Sequence, residues 1–592
     1  MAKPLLSRHI LNVEFKDLTY EVNTWTEDLK FNKKTVLNGI NGAFSYGQFC
    51  AIIGCSGCGK SSLLNILSGY NANNYSGTIL INNKLRDIKL FKKQSCYIMQ
   101  EDHLYNEFTI NEAMEFAMKL KNSVLMLDSR KLKMIDDILN NLHLDSQRNT
   151  FTAKLSGGER RKLSVALELI HNPSMMFFDE PTTGLDSLSA NKVVSMLKDL
   201  STSGRTIVCT IHQASALQLE MFDVLYVLSP TGHCIYHGLT SDLTDFLAEQ
   251  GLQCPLFHNI ADFIIEVSLG EHGDHVYNMI KSIENGKQPK LINNTDQSKY
   301  VGEIQLPDEK YKITKQNRHC LIQLITLLHR SVKKMSREKF LSTRLLVHIL
   351  VGSLYAWIYF RIGDNASFIH DNLMLLFFSL MFIMYTASST MIISFPLEFQ
   401  VLAKEHFNQW YSLTTYYISN TIVDLPVQML CTFLYCVVVY YFTGQPPEFL
   451  RFTFFTLIVL MVGLLSQAIG MLMGTLFDDL KFSTVFTSFL LMPWMMFGGV
   501  FIKISDTPLL FRWMFDISFM KHAMEAILHC VYGSNRAKLH CPKMYCYNTI
   551  PSKVLNDLDM PVNIYWYNMA ALTTIYLIMK MLVYQVLKKK LN

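Results

Sequence analysis

The sequence predicts an α/β phosphate-loop domain followed by an all-helical, six-span membrane domain, and three observations carry that expectation. The strand-like run QFCAIIG leads into the glycine-rich loop GCSGCGKSS, Gly54–Ser62, and out into the helical run SSLLNILSGY. A second strand-like run, Met175–Phe178, ends on the acidic pair Asp179–Glu180. Long apolar stretches begin only after Arg344, whereas the residues before it have a soluble protein's mixture of charge and turns. Half of the 592 residues are hydrophobic and the mean hydropathy is positive, which an ordinary soluble chain rarely shows.

The first domain is read over residues 1–240, with strands at VEFKDLTYEV, QFCAIIG, SMMFFDE and RTIVCTIH separated by helices. Residues 241–318 follow as a linker or extension that includes the polar stretch GEHGDHVYNMIKSIENGKQPKLINNTDQSK. Residues 319–344 set apolar positions at helical spacing beside Arg330, Lys333, Lys334, Arg337, Lys339 and Arg344, a basic amphipathic helix at the membrane surface. The membrane domain, 345–587, is expected to hold spans at Leu345–Phe360, Leu373–Phe395, Tyr416–Phe442, Phe452–Leu476, Phe482–Phe501 and Ile564–Leu587. Most approach the roughly 20 residues that cross a bilayer. The first is short, and the fifth is interrupted by Pro493, Gly498 and Gly499.

Basic residues before the first span and at Lys588, Lys589 and Lys590 place both ends of the chain in the cytosol, with 588–592 as a tail. The loop 502–563 is then external. It carries Cys530, Cys541 and Cys546, and the spacing CPKMYC suits a Cys541–Cys546 disulfide that leaves Cys530 near the membrane, with unpaired or intersubunit thiols as the alternative. Asn365, in Asn-Ala-Ser, would be an external glycan acceptor, while the sequons at Asn74 and Asn293 would be cytosolic and silent. MAKPLLSRHILNV has no continuous apolar segment, so no secretory signal is expected. Lys589 and Lys590 also have the spacing of an endoplasmic-reticulum retrieval signal; a plasma-membrane location is expected, with an intracellular membrane as the alternative. The net charge of +5 is modest and the basic residues lack interleaved aromatics, which excludes a nucleic-acid groove.

The chemistry is concentrated in the first domain. Strand, glycine loop and helix in that order form a phosphate cradle, in which backbone amides from Gly57 to Ser61 meet the phosphates. Lys60 would neutralise their charge and Ser61 would bind Mg²⁺. Asp179 would hold Mg²⁺ and Glu180 would orient or deprotonate the attacking water. LSGGE, Leu155–Glu159, reads as a capping box with Ser156 at the N-cap and Glu159 at N3, and its Ser-Gly-Gly start also offers free amides to a phosphate.

In this order the motifs resemble those of the ATP-binding cassette (ABC) transporters, over essentially the whole chain. The resemblance makes Gly54, Ser56, Gly57, Cys58, Gly59, Lys60, Ser61 and Ser62 the Walker A residues that bind ATP. It makes Gln100 the Q-loop residue, also on Mg²⁺, and Leu155, Ser156, Gly157, Gly158 and Glu159 the signature that closes on ATP held by a second chain. Asp186 becomes the D-loop residue and His212 the switch histidine; with Glu180, His212 and Gln100 are the catalytic set it implies. Where many cassettes stack an aromatic on adenine, this sequence has Val22, with Tyr20 nearby. One cassette per chain implies a homodimer or heterodimer.

A cassette that precedes the spans is the order of the G subfamily, the White and sterol-exporter type. NIADFIIEV resembles the subfamily's NPADF motif with Ile260 in place of proline, and IHDNLMLLFFSLMF, SFPLEFQVLAKEHFNQWYSL and Asp424 and Pro426 of the third span resemble its sterol-exporter branch more than its pigment branch. A lipid cargo, a sterol above all, is then expected to pass a cavity near Phe378, Phe382, Tyr385, Met492 and Met496; pigment precursors, amino-acid derivatives or hormones, or an ATP sensor without transport, are the alternatives. Glu398, Lys404 and Glu405 are expected either to pair with the basic surface of the cassette or to stand as solvated loop charges. Cys55 and Cys58 occupy variable places in the loop and their thiols have no expected role, although alkylation of Cys58 should inhibit hydrolysis and nucleotide should protect it.

Overall fold

Short β-branched and aromatic runs become strands wherever they are buried on both faces, as in a parallel sheet. The computed structural model describes residues 10–25, 31–70, 74–121, 128–287, 320–502, 505, 507–533, 536–542, 546–547, 549–558 and 564–591. Asn293 and the end of the polar stretch beyond Lys287 lie outside the described residues. Two compact units result, Met1–Thr326 with Lys404–Ser412, and Leu327–Ala403 with Leu413–Asn592.

In the first unit, β1 (Val13–Trp25), β2 (Phe31–Phe44), β4 (Tyr75–Ile81) and β5 (Lys84–Leu85) form an antiparallel sheet of order β2-β1-β4-β5. A second sheet has the order β10-β9-β3-β8-β7-β6, from β3 (Phe49–Gly54), β6 (Ser95–Ile98), β7 (Met175–Phe178), β8 (Thr206–Thr210), β9 (Val224–Leu228) and β10 (Cys234–Leu239). All its pairings are parallel except β10 with β9. The carboxyl ends of β3, β6, β7 and β8 therefore lie along one edge, where open α/β sheets bind their ligands. Helix α1 (Lys60–Ser68) leaves that edge directly after β3, with Leu63, Leu64, Ile66 and Leu67 buried. Helices α2 (Gly157–Leu169) and α3 (Ser187–Thr202) start from Ser156 and Asp186 as N-caps.

The expected linker is, as far as Lys287, part of this fold. Helices at Leu243–Glu249, Ile260–Leu269 and Val276–Ser282 bury Leu243, Leu247, Phe263, Ile264, Val267 and Met279. Asn285 closes the segment down: its amide donates to the Asn38 and Gly39 carbonyls at 2.8 Å and its oxygen accepts from Cys234 N–H at 2.8 Å.

The expected amphipathic helix over 319–344 is two helices. Cys320–Arg337 (α4) stops at Glu338, whose extended backbone (φ −73°, ψ 130°) starts Lys339–Ile358 (α5), so the first apolar span begins earlier than hydropathy suggested. Then follow α6 (Ile369–Phe407), which belongs to the second unit as far as Ala403, and, within that unit, α7 (Leu413–Phe442), α8 (Phe449–Leu476), α9 (Leu480–Met496), α10 (Phe519–Tyr532) and α11 (Tyr565–Leu591). Among the described residues five helices, α5 to α8 and α11, are long and apolar enough to cross a membrane. The expected fifth span corresponds to α9, which has 17 residues and ends at Met496 rather than Phe501.

Helix α8 is the most enclosed of these, packed against α7, α10 and α11. Two glycines permit the approach: a Cβ on Gly470 would stand 2.3 Å from the Ser388 carbonyl, and one on Gly463 would stand 2.2 Å from the Gln428 amide. The region expected as an external loop holds a core element. Helix α10 buries Phe519, Met520, Ala523, Met524, Ile527, Leu528 and Val531, and the Arg451 guanidinium closes its C-terminus by donating to the Cys530 and Gly533 carbonyls at 2.9 Å. Cys530 is a free, buried thiol, while Cys541 and Cys546 are joined in a disulfide.

Candidate functional site

Four loops meet at the carboxyl edge of the parallel strands. After β3 the chain turns through Gly57 (φ +79°) and Gly59 (φ +102°), and glycine is needed at both because their backbones are left-handed. Ser56 and Gly57 face solvent, whereas Lys60 is 5% exposed and donates to the Gly54 carbonyl at 2.9 Å and the Cys55 carbonyl at 2.8 Å. The ammonium is therefore already inside the loop, held by two neutral carbonyls that a phosphate would outbid electrostatically. Ser61 and Ser62 open α1.

Asp179 lies at the end of β7 and is 8% exposed. Its Oδ1 accepts from Ser61 Oγ at 2.9 Å and Thr210 Oγ1 at 2.7 Å, and its Oδ2 accepts from the Tyr97 hydroxyl at 3.2 Å. Burial, reinforced by the neighbouring Asp179 charge, pushes the Tyr97 phenol far up, so it stays protonated and donates. Ser61 and Asp179 form a hard-oxygen donor pair, the chemistry Mg²⁺ takes. Glu180 follows with φ +44°, an uncommon conformation for a carboxylate residue, held by Glu180 N–H donating to Thr210 Oγ1 at 2.8 Å. Its Oε2 accepts from Gln100 Nε2 at 2.9 Å and Thr183 Oγ1 at 3.0 Å. Gln100 thus touches Glu180, and no hydrogen bond among the described residues joins it to Asp179.

Thr210, Tyr97 and Thr183 are the site residues that sequence reasoning missed. Each lies within three residues of a recognised site residue, and strand alternation alone does not say which side chain turns toward a carboxylate. His212 is exposed just past β8, and among the described residues it has no hydrogen bond. Val22 and Tyr20 lie on β1, paired with Lys34 and Leu37 of β2.

The LSGGE segment forms the capping box its sequence predicts. Ser156 Oγ accepts from Glu159 N–H at 3.4 Å, and Glu159 Oε2 accepts from Ser156 N–H and Oγ at 2.9 Å. Ser156 and Gly157 are exposed, Leu155 and Gly158 buried. Cβ atoms on Gly157 and Gly158 would stand 2.9 Å from Leu185 Cδ2 and 3.3 Å from Ser189 Cβ, so this helix start rests on Leu185 of the loop that follows Glu180 and on the first turn of α3. Asp186 caps α3 by accepting from Ser189 N–H at 3.0 Å, and its hydrogen bonds with Ser189 hold its carboxyl below the usual range. No hydrogen bond among the described residues links Leu155–Glu159 to Gly54–Ser62 of the same chain.

Arg161, one turn into α2, donates to the Met99 carbonyl at 2.7 Å and to that of Gln100, and pairs with Asp102 at 3.2 Å. The helix that starts with the signature is thereby tied to the backbone of the Gln100 loop. Lys404–Ser412, which belongs to the first unit, lies beside this tie. Lys404 donates to Ser164 Oγ at 3.3 Å, Trp410 Nε1 to Glu168 Oε1 at 3.2 Å, and the Asn408 amide to the Tyr97 carbonyl at 3.0 Å. Glu168 is in turn paired with Lys121 at 2.6 Å, both side chains 2% exposed. Of the three charges expected to pair with the cassette, Lys404 donates to Ser164 Oγ, Glu405 accepts from Tyr411 and lies within electrostatic reach of Lys121, and Glu398 accepts from Lys334 of α4.

Cys58 also departs from expectation. It is 1% exposed, and burial pushes its thiol up to about 11, so it is a poor target for alkylation. In the second unit, Phe378, Met492 and Met496 are exposed, and the Tyr385 hydroxyl contacts Met495 Sδ at 3.4 Å. Phe382 packs instead on Tyr435 and His348, with ring centroids at 5.1 and 5.2 Å. Asn365 Oδ1 accepts from Ser367 N–H at 2.9 Å.

Residues 37–183 match the ABC transporter family and residues 322–532 the ABC-2 type transporter family. ABC transporter G family member 8 of Arabidopsis thaliana is 30% identical, over 83% of this chain and 80% of that protein. The chain belongs to the ABC transporter G family. Members 4 and 14 of the same organism are 28% and 27% identical and cover 92% and 94% of this G-family chain. A solved structure described as cbiO1 of Clostridium perfringens, part of the ABC transporter complex cbiONQ, is 21% identical over 39% of the chain, with a TM-score of 0.34. This G-family half-transporter is accordingly an ATP-hydrolysing membrane transporter, one ABC cassette followed by one membrane domain.

Proposed function

We propose that the chain works as half of a dimer that exports or flips a lipid, with a sterol as first candidate. The observation that carries the ATPase part is the convergence of Ser61, Asp179, Thr210, Glu180 and Gln100 on one sheet edge. Lys60 would leave the Gly54 and Cys55 carbonyls for the β and γ phosphates, and the Gly57–Ser61 amides would ring them. Ser61 and Asp179 would hold Mg²⁺, which supplies charge neutralisation of the phosphates when bound. Glu180 would take the proton of the attacking water, with Gln100 and Thr183 fixing its carboxylate. His212, free at the edge, would complete the site beside the γ phosphate.

The exposed Ser156–Gly157 start and the exposed Ser56–Gly57 loop support closure between two chains, Ser156 and Gly158 of one over ATP on the other. Asp186 would lie in that interface. Closure on ATP has to be favoured differentially to drive the spans. Exposed apolar Phe378, Met492 and Met496 on α6 and α9 favour a greasy cargo over a charged one. The disulfide Cys541–Cys546 supports an external placement of its loop, with Asn365 as glycan acceptor on the same side, and the plasma membrane is the location proposed.

Glu180→Gln tests the site. Loss of a general base lowers turnover by about 10²–10⁴-fold. The expected result is a fall of that order with ATP still bound; unchanged hydrolysis would remove Glu180 from the mechanism.

A further inference from the structure

Cys55 and Cys58 lie inside the phosphate loop, and neither thiol has a part in the scheme above. The backbone between them is a tight turn with Ser56 and Gly57 at its corner. Cys58 N–H donates to the Cys55 carbonyl at 3.4 Å, and Gly57 takes φ +79°, the conformation required of the third residue in a type II turn. A turn of this kind brings its first and fourth Cα atoms within about 7 Å, and disulfides span roughly 4.4–6.8 Å between Cα atoms. The two side chains are near neighbours, since after burial the Cys55 thiol adds to the upward push on the Cys58 thiol. The Cys58 sulfur is tucked beneath the loop, where a Cβ on Gly54 would stand 2.7 Å from it. Both are free thiols, Cys55 half-buried and Cys58 buried.

We propose that Cys55 and Cys58 are a modification site, a pair that a small disulfide such as glutathione disulfide converts to an intraloop disulfide, reversibly stopping ATP hydrolysis. Accessibility sets the order of events. Cys55, deprotonated, attacks one sulfur of the small disulfide, whose S–S bond breaks; a mixed disulfide forms on Cys55 and one small thiol leaves with a proton. Cys58 then gives up its proton and attacks the Cys55 sulfur, forming the protein disulfide and expelling the second small thiol. Two protein thiols are oxidised and one small disulfide is reduced to two thiols. The buried Cys58 thiol is shielded from reagents in solution but not from its neighbour, as a resolving thiol has to be.

The consequence follows from what the same loop holds. Lys60 is bound to the carbonyls of Gly54 and Cys55, at one end of the bridge, and the amides expected to ring the phosphates begin at Gly57, inside it. A bridge fixes this turn and draws the Cys58 sulfur from under Gly54, so the loop cannot rearrange around phosphate. Displacing a catalytic group by about 1 Å can lower a rate on the order of 10²-fold, and a loss of that order is the expectation here. The inference rests on this loop being the phosphate site.

The test uses the full chain, purified in lipid nanodiscs. ATPase is measured before and after glutathione disulfide and again after dithiothreitol, and the peptide that contains Cys55 and Cys58 is weighed with free thiols blocked. Expected are loss of activity, a peptide lighter by two hydrogens, recovery with dithiothreitol, slower bridging when ATP is bound first, and a Cys55→Ser protein that hydrolyses ATP and ignores the oxidant. Activity that survives oxidation, an equal loss in Cys55→Ser, or a peptide with glutathione adducts and no bridge would overturn the switch. A reduced protein with no ATPase at all would instead overturn the phosphate-site reading, and the switch with it.

Discussion

Thr210 makes the two carboxylates of the site a single unit. Its hydroxyl donates to Asp179 and accepts from the Glu180 backbone, and Thr210 is itself fully buried. Thr210→Val removes both bonds at nearly constant volume; Asp179 Oδ1 keeps Ser61, while the Glu180 N–H loses its partner at a penalty of about 1–3 kcal/mol. Turnover should fall while Thr210→Ser restores it; equal activity in the valine and serine proteins would mean that the hydroxyl is idle. Cys58 gives a second residue-scale expectation. With its thiol pushed up to about 11, the thiolate fraction at neutral pH is small and grows with pH until that value. Iodoacetamide should label Cys55 first and Cys58 slowly, faster at pH 9 than at pH 7, and rapid labelling of Cys58 at pH 7 would contradict its burial. The acidic pair and the lysine were legible from the sequence because each ends a strand or a glycine loop with one outlet. Thr210, Tyr97 and Thr183 were not, since their roles depend on which of two strand faces or loop directions meets a carboxylate in a different element.

Helix α2 shows how an element can serve structure and chemistry together. Its start is an ordinary capping box, legible as Ser156 followed by Glu159, and its body carries Arg161 to the Gln100 loop and Glu168 to Lys121 and Trp410. The buried Lys121–Glu168 pair is a sharp point of sensitivity, because removing one partner leaves the other buried and uncompensated, at roughly 3–5 kcal/mol. Burial draws the Lys121 ammonium pKa down, and Glu168 opposes that shift. Lys121→Met should lower the melting temperature of the protein markedly, and the double change Lys121→Met, Glu168→Leu should recover part of the loss. A single variant as stable as wild type would show the pair to be solvated. Helix α10 was the element least legible in the sequence. His522, Lys521, Glu525 and His529 dilute its hydropathy below that of a span, yet His522 bonds Asn568 at 2.8 Å and Lys521 lies 3.2 Å from Asp516, leaving the apolar face to the core. The break at Glu338 was hidden for the opposite reason, since helical spacing continues across a residue whose backbone alone has changed.

At the scale of the whole molecule, the order of cassette and membrane domain was readable because both have coarse signatures, a motif series and a change in hydropathy. The cargo has no such signature: apolar side chains at Phe378 and Met492 look alike whether they face a partner chain, lipid or a transported molecule. ATP-driven export by paired chains is the central claim, and coupling tests it directly. Purified protein is reconstituted into vesicles that contain a fluorescent sterol, and ATP-dependent movement across the bilayer is followed beside phosphate release for wild type and Glu180→Gln. The account predicts sterol movement that requires ATP and Mg²⁺ and fails with hydrolysis in the variant. Sterol movement equal in both proteins, or hydrolysis in the wild type with no sterol moved, would contradict it.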